Sequence, residues 1–453
     1  MGLSHAAAGL ARGLRVAVFE RNAAVTEASV RNFGLLTSLY DGGGVWGDRS
    51  QRSRALYRGW SARGGCPLST PGSLQLAQTP LQWELLKSFA AAAPSLRYPV
   101  ELVGAREACE LVPSLNPAGL YGALRFPQDS LLEPRVMFHR EHGLPGTLAR
   151  TGVDFFFSTP VTALRGSSPA AITLGTASGD SFEARRVVLC SGSDVSSLAP
   201  SVFAAEAHKL RQCKLQMLRL HLAPPRQGCT NPHIVTSGLS LRRYPGPRAV
   251  CPAEHAAMMT GEGGPGSATA AAEALGIHII ARPAAAFPRT PFGGLAREAA
   301  AGAAALGVPA QQLSGEEWVV GDSHEYSPLG ESGFDEACSE GLTDQILGVA
   351  AGMFQGIGGL LESRGANAGS TGSAPTLHYR ARLLQQWSGV YLDHREGFFS
   401  ADCVLQGAAV ARVTPEEAAG LPGATLHIAT GVGGQGMTMS PALGEEFVAR
   451  FFP

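Results

Sequence analysis

Residues 14–21, Leu-Arg-Val-Ala-Val-Phe-Glu-Arg, form a short apolar run closed by an acid. This is how the second strand of a dinucleotide-binding βαβ unit ends, where a carboxylate accepts ribose hydroxyl groups. Such a unit needs a first strand and a Gly-x-Gly-x-x-Gly turn ahead of its helix. Here Met1-Gly2-Leu3-Ser4-His5-Ala6 stands in that place, and Gly2, 18 residues before Glu20, takes the position of the third glycine. The expectation is a nucleotide-cofactor fold, read as a fragment whose first strand and first two loop glycines are missing. Taken alone, Glu20 leaves the nucleotide open, and an ordinary solvated glutamate is the plainer reading.

The 453 residues suffice for two domains, and a hydrophobic content of 45% supports a substantial core. A net charge of -1 without a long basic run argues against a nucleic-acid surface. The eight cysteines are scattered, with no Cys-x-x-Cys pair and no Cys/His group at zinc-ligand spacing, so no metal site is expected. Such cysteines suit a reducing compartment, and a cytoplasmic location is expected. A targeting peptide would be lost together with a truncated start. No uncharged stretch of 18 apolar residues suggests a transmembrane helix.

Along the chain, residues 2–13 suit a helix and 14–20 a strand, and the glycine-rich segment 22–50 reads as a loop. Residues 80–93 and 103–111 read as helices. Residues 153–165 read as two strands broken at Pro160. Residues 171–175 and 180–190 read as a hairpin ending in the buried run Arg-Val-Val-Leu-Cys-Ser-Gly. Further strands are expected at 209–222, 234–242, 276–281 and 317–321, in a more antiparallel sheet. Segments 284–315 and 364–375, rich in Ala, Gly, Pro and Ser, read as inserted loops or errors in the gene model. The tail from Leu426 reads strand, glycine turn, helix, the helix running from about Thr438 to Phe451.

Four constellations carry chemistry. Glu20 is the first. The second is Gly431-Val-Gly-Gly-Gln-Gly436 before the last helix, where bare backbone N–H groups and a helix N-terminus favour negative charge, as the edge of a reduced flavin ring requires. A plain tight turn is the alternative. The third is Ser29-Val-Arg-Asn-Phe-Gly34, whose polar groups suit phosphate or ribityl oxygens; a turn with a solvated arginine is the alternative. The fourth is Gly321-Asp-Ser-His-Glu-Tyr326 at a strand end, polar groups suited to a pocket, although a single His324 is more often structural. His139-Arg-Glu-His142 lacks the spacing of a helical zinc site and reads as a solvated helix face.

Together these segments resemble the FAD-dependent D-amino-acid oxidase / glycine oxidase superfamily, and more narrowly a subgroup associated with aminophosphonate breakdown. The matching segments also include Cys-Lys-Leu-Gln-Met-Leu-Arg (213–219) and Trp-Ser-Gly-Val-Tyr (387–391), so the likeness covers most of the chain. Arg-Asn-Phe-Gly and Gly-Asp-Ser-His-Glu-Tyr are the most specific to the subgroup. The resemblance implies an α/β fold: a Rossmann-like FAD-binding domain, its first strand truncated, and an α+β substrate domain on a mixed or antiparallel sheet. The cofactor domain is expected at 1–80, 151–208 and 386–453, the substrate domain at 81–150 and 209–385. The resemblance gives Glu20 to the adenosine ribose and places Arg21 near the adenine. Gly2 belongs to the remnant of the first glycine turn. Ser29, Arg31 and Asn32 would line the pyrophosphate and ribityl chain, and Gly34 the ring. Val161 would bond the adenine through its backbone, and Gly192 would sit at a strand end near the cofactor. Gly433, Gly434, Gly436, Met437 and Thr438 would hold the flavin edge.

The expected activity is FAD-dependent oxidation of a C–N bond in a small amine, an amino acid or aminophosphonate, to a carbonyl compound and ammonia. Oxygen or another acceptor takes the electrons. Tyr391, His324 and Arg282 are expected to grip the acidic end of the substrate. Two alternatives stand beside this: a truncated, non-catalytic flavoprotein relic, and an NAD-dependent dehydrogenase.

Overall fold

The structure, a computed structural model, describes residues 1–39, 42–92, 96, 98–168, 170–194, 197–223, 232–262, 272, 274–283, 316–329, 334, 337–365, 379–395, 397–420 and 423–451. The loop segments expected at 284–315 and 364–375 lie outside these residues, apart from Arg364 and Gly365.

Helix Gly2–Ala11 is built from small residues and buries Ser4, His5, Ala6, Ala7 and Gly9. It packs on the last helix, Gly436–Phe451. Their closest approach is at Gly444, where a Cβ would fall 2.8 Å from the Ser4 carbonyl carbon. Strand Val16–Phe19 pairs in parallel with Val153–Phe156. Strand Arg186–Leu189 pairs in parallel with Thr425–Thr430, which continues antiparallel to Phe399–Gln406 and on to Ala409–Val413. Among the described residues these are two separate sheets, and both line one large cavity. A three-stranded meander, Val161–Ser168, Ala171–Thr176 and Ser181–Ala184, stands beside them.

The second part of the α/β molecule is a nine-stranded mixed sheet. Its spine is the long antiparallel pair Leu210–Ala223 and Arg380–His394. Side chains of a strand alternate between faces. Accordingly Leu218, Leu220 and Leu222 join one core cluster with Trp318 and Val320, covered by helices Glu340–Ala351 and Ile357–Ser363. Leu215, Met217 and Val319 join a different cluster on the opposite face. With both faces buried, the strand Glu316–Gly321 is apolar at three consecutive positions, Trp318 to Val320. Strand Ser73–Ala77, within the expected 1–80 cofactor segment, is an internal strand of this sheet, paired parallel to Ile234–Thr236 and antiparallel to Gly122–Phe126.

Several local expectations change. Segment 22–50 is not loop throughout, because helix Gly44–Ala62 begins inside it, behind Gly43 at φ +80°. Residues 101–104 form an edge strand, so the following helix begins at Ala105. The expected strand 234–242 stops at Thr236 and gives way to a helical turn, Ser240–Arg243. Residues 180–190 are two strands that join different sheets. His139–His142 lies in a turn between Pro134–Met137 and Leu144–Arg150, its rings stacked at 5.0 Å, rather than on a helix.

Candidate functional site

The large cavity has a volume of about 1450 Å³, ample for a dinucleotide. Its near end collects the residues singled out in the first forty positions. Glu20 follows strand Val16–Phe19; its backbone N–H donates to Phe156 at 2.9 Å and its Oε1 accepts from the Asn22 N–H at 2.9 Å. Arg21 is exposed at the rim and ion-pairs with Asp194 at 2.6 Å. Gly2, Ser29, Asn32, Gly34, Val161 and Gly192 all line the cavity. Asn32 shapes this wall: its amide donates to the carbonyls of Ala28 and Ser29, and its Oδ1 accepts from Gly34 N–H at 2.7 Å. Gly34 sits at φ +69°, and a Cβ there would lie 1.9 Å from the Leu132 carbonyl oxygen, so only glycine fits. Arg31 does not line the cavity; its guanidinium donates to the backbone carbonyls of Thr26 and Ser388 and ties this turn to the large sheet.

Gly433, Gly434, Gly436 and Met437 form the opposite wall. Gly433 has φ +57°, and a Cβ on it would approach Asp393 Oδ1 to 2.6 Å. Helix Gly436–Phe451 begins at this turn with no acidic residue in its first turn. Helix Gly2–Ala11 also starts at the cavity with no acidic residue and no side-chain cap at its N-terminus. Both helix N-termini stand at this cavity, where the helix dipole favours anionic groups. Thr438 is turned away from the cavity: it is buried and its hydroxyl donates to the Leu35 carbonyl.

A second cavity of about 770 Å³ shares with the first the wall made by Tyr244, His278, His324, Tyr391 and Val432–Gly434. The sheet register creates this wall. Cys213 on Leu210–Ala223 stands opposite Tyr391 on one neighbouring strand and Tyr326 on the other. Tyr326 accepts a hydrogen bond from Arg243 at 2.7 Å, and Arg211 lies 3.6 Å above its ring while ion-paired to Asp393. The backbones of His278 and Asp322 exchange two hydrogen bonds, of 3.2 and 2.8 Å, which sets their side chains together. His278 Nε2 lies 3.1 Å from Asp322 Oδ1, and His324 Nε2 3.7 Å from Asp322 Oδ2.

Burial dominates the electrostatics of this wall. It pushes the Asp322 carboxyl up to about 7, against the pull of Arg243. It holds both imidazoles well below their ordinary range, reinforced by Arg243, and raises the Tyr391 phenol well above its own. The second cavity is presented with neutral rings, a phenol and the cationic Arg243, a surface suited to an anionic group, while Arg211 shares its charge with Asp393 on the same lining.

Tyr391 and His324 line both cavities. Arg282 does not: it is buried on strand Ile280–Pro283, donates to Glu133 at 2.9 Å and lines neither cavity. Arg243 is the arginine the structure brings to the second cavity, and it was missed because it lies just past the segment 234–242, which reads as a strand. His278 was missed as well. It lies 44 positions before Asp322, so no spacing rule finds the group His278, Asp322 and His324, whose ligand atoms all lie within 4.8 Å of one another. Among the described residues no helix is long and apolar enough to cross a membrane.

A family model described as FAD dependent oxidoreductase (DAO) matches residues 1–251. No curated protein sequence matches the chain. Among solved structures, glycine oxidase from Geobacillus kaustophilus aligns with a TM-score of 0.60 at 18% identity, over 100% of this chain and 92% of that one. L-proline dehydrogenase from P. horikoshii aligns with a TM-score of 0.62 at 16% identity, over 98% and 88%. L-alpha-glycerophosphate oxidase from Mycoplasma pneumoniae, with FAD bound, aligns with a TM-score of 0.59 at 13% identity, over 99% and 92%. At these identities the likeness is one of fold.

Proposed function

The chain belongs to the family of FAD-dependent oxidoreductases, and on that premise we propose that it oxidises the C–N bond of a small amine that carries an acidic group. The observation that carries this reading is the shared wall, where the glycine turn Gly433–Gly434 meets Arg243, His324 and Tyr391 around one cavity.

The residues present fit the cofactor. Two helix N-termini at the cavity suit its phosphates and its ring edge, and the glycines at 34 and 433 leave space that a Cβ would fill. Glu20 would accept the adenosine ribose hydroxyls, Val161 would meet the adenine through its backbone, and Gly192 would flank it. Ser29 and Asn32 would line the chain between the two ends. Gly433, Gly434, Gly436 and Met437 would hold the ring edge. When bound, FAD supplies the two-electron oxidation of the amine, and oxygen or another acceptor takes those electrons onward.

The protein's own part is binding and orientation. Arg243 presents positive charge to the acidic end of the substrate and is steadied by its bond to the Tyr326 hydroxyl, whose ring Arg211, paired with Asp393, covers. Tyr391, its phenol kept protonated by burial, has a hydroxyl to donate to an anionic oxygen. The neutral imidazoles leave a deprotonated amine undisturbed beside them. Water then releases the imine as a carbonyl compound and ammonia. An aminophosphonate is the substrate class we favour, because its head offers three oxygens to the Arg243 guanidinium and the Tyr391 phenol where a carboxylate offers two. We also propose the five-segment division into cofactor and substrate domains, with strand Ser73–Ala77 reassigned to the substrate sheet.

Anaerobic titration of the purified flavoprotein tests this. Bleaching of the flavin absorbance by an aminophosphonate, with an equivalent amino acid weaker, is the expected result. A yellow protein indifferent to amines and aminophosphonates refutes the substrate assignment.

A further inference from the structure

We propose that His278, Asp322 and His324 form a binding site for one divalent first-row transition-metal ion, set in the wall between the two cavities. All three residues are buried, between 3% and 7% exposed, and their ligand atoms fall within 4.8 Å of one another. The orientation of the rings is the first argument. His324 Nδ1 lies 3.0 Å from the Gly276 carbonyl, a contact that requires the proton on Nδ1. In the neutral ring, Nε2 then carries a bare lone pair, and it points at a carboxylate oxygen 3.7 Å away. Two acceptors facing each other in a buried wall call for a positive centre between them, either a proton or a metal ion.

His278 is held alongside it. Its Nδ1 lies 3.2 Å from the Ser240 hydroxyl, which donates to it or accepts from it according to the tautomer, and the tautomer with the proton on Nδ1 leaves a bare Nε2 3.1 Å from Asp322 Oδ1. Asp322 Oδ1 has no hydrogen-bond partner of acceptable geometry despite its burial. Metal-bound histidines are oriented in this way, with the distal nitrogen held by a carbonyl or hydroxyl and the other free to ligate.

The distances come near coordination. Metal–nitrogen and metal–oxygen bonds of about 2.0–2.2 Å place neighbouring ligands of a tetrahedral ion roughly 3.3–3.6 Å apart. The 3.1 Å separation is to Asp322 Oδ1 and the 3.7 Å separation to Oδ2, while the ligand atoms as a group span up to 4.8 Å, so an ion would draw its ligands together by as much as about an ångström. Two imidazoles and one carboxylate form a set that zinc and ferrous iron both accept, leaving coordination positions open. Both histidines line both cavities, so an open position can be reached by an anionic oxygen ligand. Arg243 is the cation that opposes the ion. The Asp322 carboxylate and an anion bridging ion and guanidinium offset that repulsion.

The site stands independently of the substrate reading, and its test reads metal content, not turnover. The purified flavoprotein is treated with chelator, dialysed and loaded separately with Zn(II), Fe(II) and Co(II). Bound metal is measured by elemental mass spectrometry, and the Co(II) form by its visible d–d absorption. About one ion per chain is expected for the native protein, with at least a tenfold weaker affinity in His278→Ala and in the near-isosteric Asp322→Asn. His221→Ala, at a buried histidine outside the group, keeps the native affinity. Flavin content and thermal unfolding report whether each variant is folded. A native protein that takes up none of the three ions, with a proton alone between the acceptors, overturns the proposal. Uptake unchanged in both folded ligand variants overturns it as well.

Discussion

Replacing Asp129 with alanine removes a fully buried carboxylate that joins the cavity loop to the large sheet. Its Oδ1 accepts from the Ser38 backbone N–H at 2.8 Å and the Ser38 hydroxyl at 2.7 Å. Its Oδ2 accepts from the hydroxyls of Ser73 at 2.7 Å and Thr37 at 3.2 Å. Arg54, with a side chain 3% exposed, donates to Oδ1 at 3.3 Å. Each hydrogen bond to a charged group is worth about 1.5–3 kcal/mol, but bonds to one carboxylate share its desolvation and do not add. Removing one partner of a buried ion pair costs about 3–5 kcal/mol, because the other charge is left uncompensated. A loss of about 4 kcal/mol is expected, a large part of a typical total of roughly 5–15 kcal/mol. Because Thr37 and Ser38 follow the Gly34 turn, flavin release should accompany unfolding at a lower denaturant concentration. Urea unfolding of the flavin-loaded protein, followed by flavin and tryptophan fluorescence, measures this in Asp129→Ala, Arg54→Met and the double variant. The double variant leaves no lone charge, so its loss falls short of the sum of the singles by roughly 1–3 kcal/mol. A loss below about 1 kcal/mol in Asp129→Ala refutes the assignment of this carboxylate as a structural anchor. Additivity within about 0.5 kcal/mol refutes the coupling to Arg54.

Gly34→Ala forces a Cβ to within 1.9 Å of the Leu132 carbonyl oxygen at φ +69°, and should cost at least about 2 kcal/mol and weaken flavin retention; unchanged flavin content and unfolding midpoint would count against the cavity wall described here. Arg243→Met should leave the flavin spectrum intact but raise the amine concentration for half-bleaching about tenfold or more, in line with the loss of one charge-assisted hydrogen bond; equal titration curves would remove Arg243 from the substrate wall. His5 is buried, which holds its imidazole down to about 3, so it stays neutral in the folded protein while the unfolded chain protonates it below its ordinary 6.5. Stability should therefore fall as pH drops from about 6.5 toward 3, by about 1.4 kcal/mol per pH unit from this group within that window. His5→Gln should flatten that part of the urea midpoint–pH curve, and parallel curves would contradict the assignment. The thiols of Cys66 and Cys213, both pushed up to about 12 by burial, should resist alkylation at neutral pH until the protein unfolds, as peptide mapping by mass spectrometry will show.

The cofactor half of the molecule was legible because its signals are local. A strand ending in Glu20, a glycine turn before a helix at Gly436, and the Asn32–Gly34 turn each declare themselves within a few residues, and the structure gathers them around one cavity. Arg31 and Thr438 sit inside the same short segments but turn away, since a residue's place in a turn does not fix which carbonyls its side chain finds. The helix at Gly44 and the short strand at 101–104 escaped the reading because tertiary pairing decides elements this polar or this brief.

The amino-acid sequence by itself determined the family and the nucleotide-binding chemistry, since these rest on contiguous residues whose backbone geometry glycine and a strand-end acid dictate. Only the tertiary structure assembled the wall between the two cavities. Arg243, His278, the segment Asp322–Tyr326 and Tyr391 are far apart in sequence, and strand register together with the exchanged backbone bonds of His278 and Asp322 brings them together. A register shift of one residue would turn every side chain of a strand to its other face. On its strand Arg282 ends in a buried pair with Glu133, while Arg243 reaches the second cavity from the helical turn Ser240–Arg243.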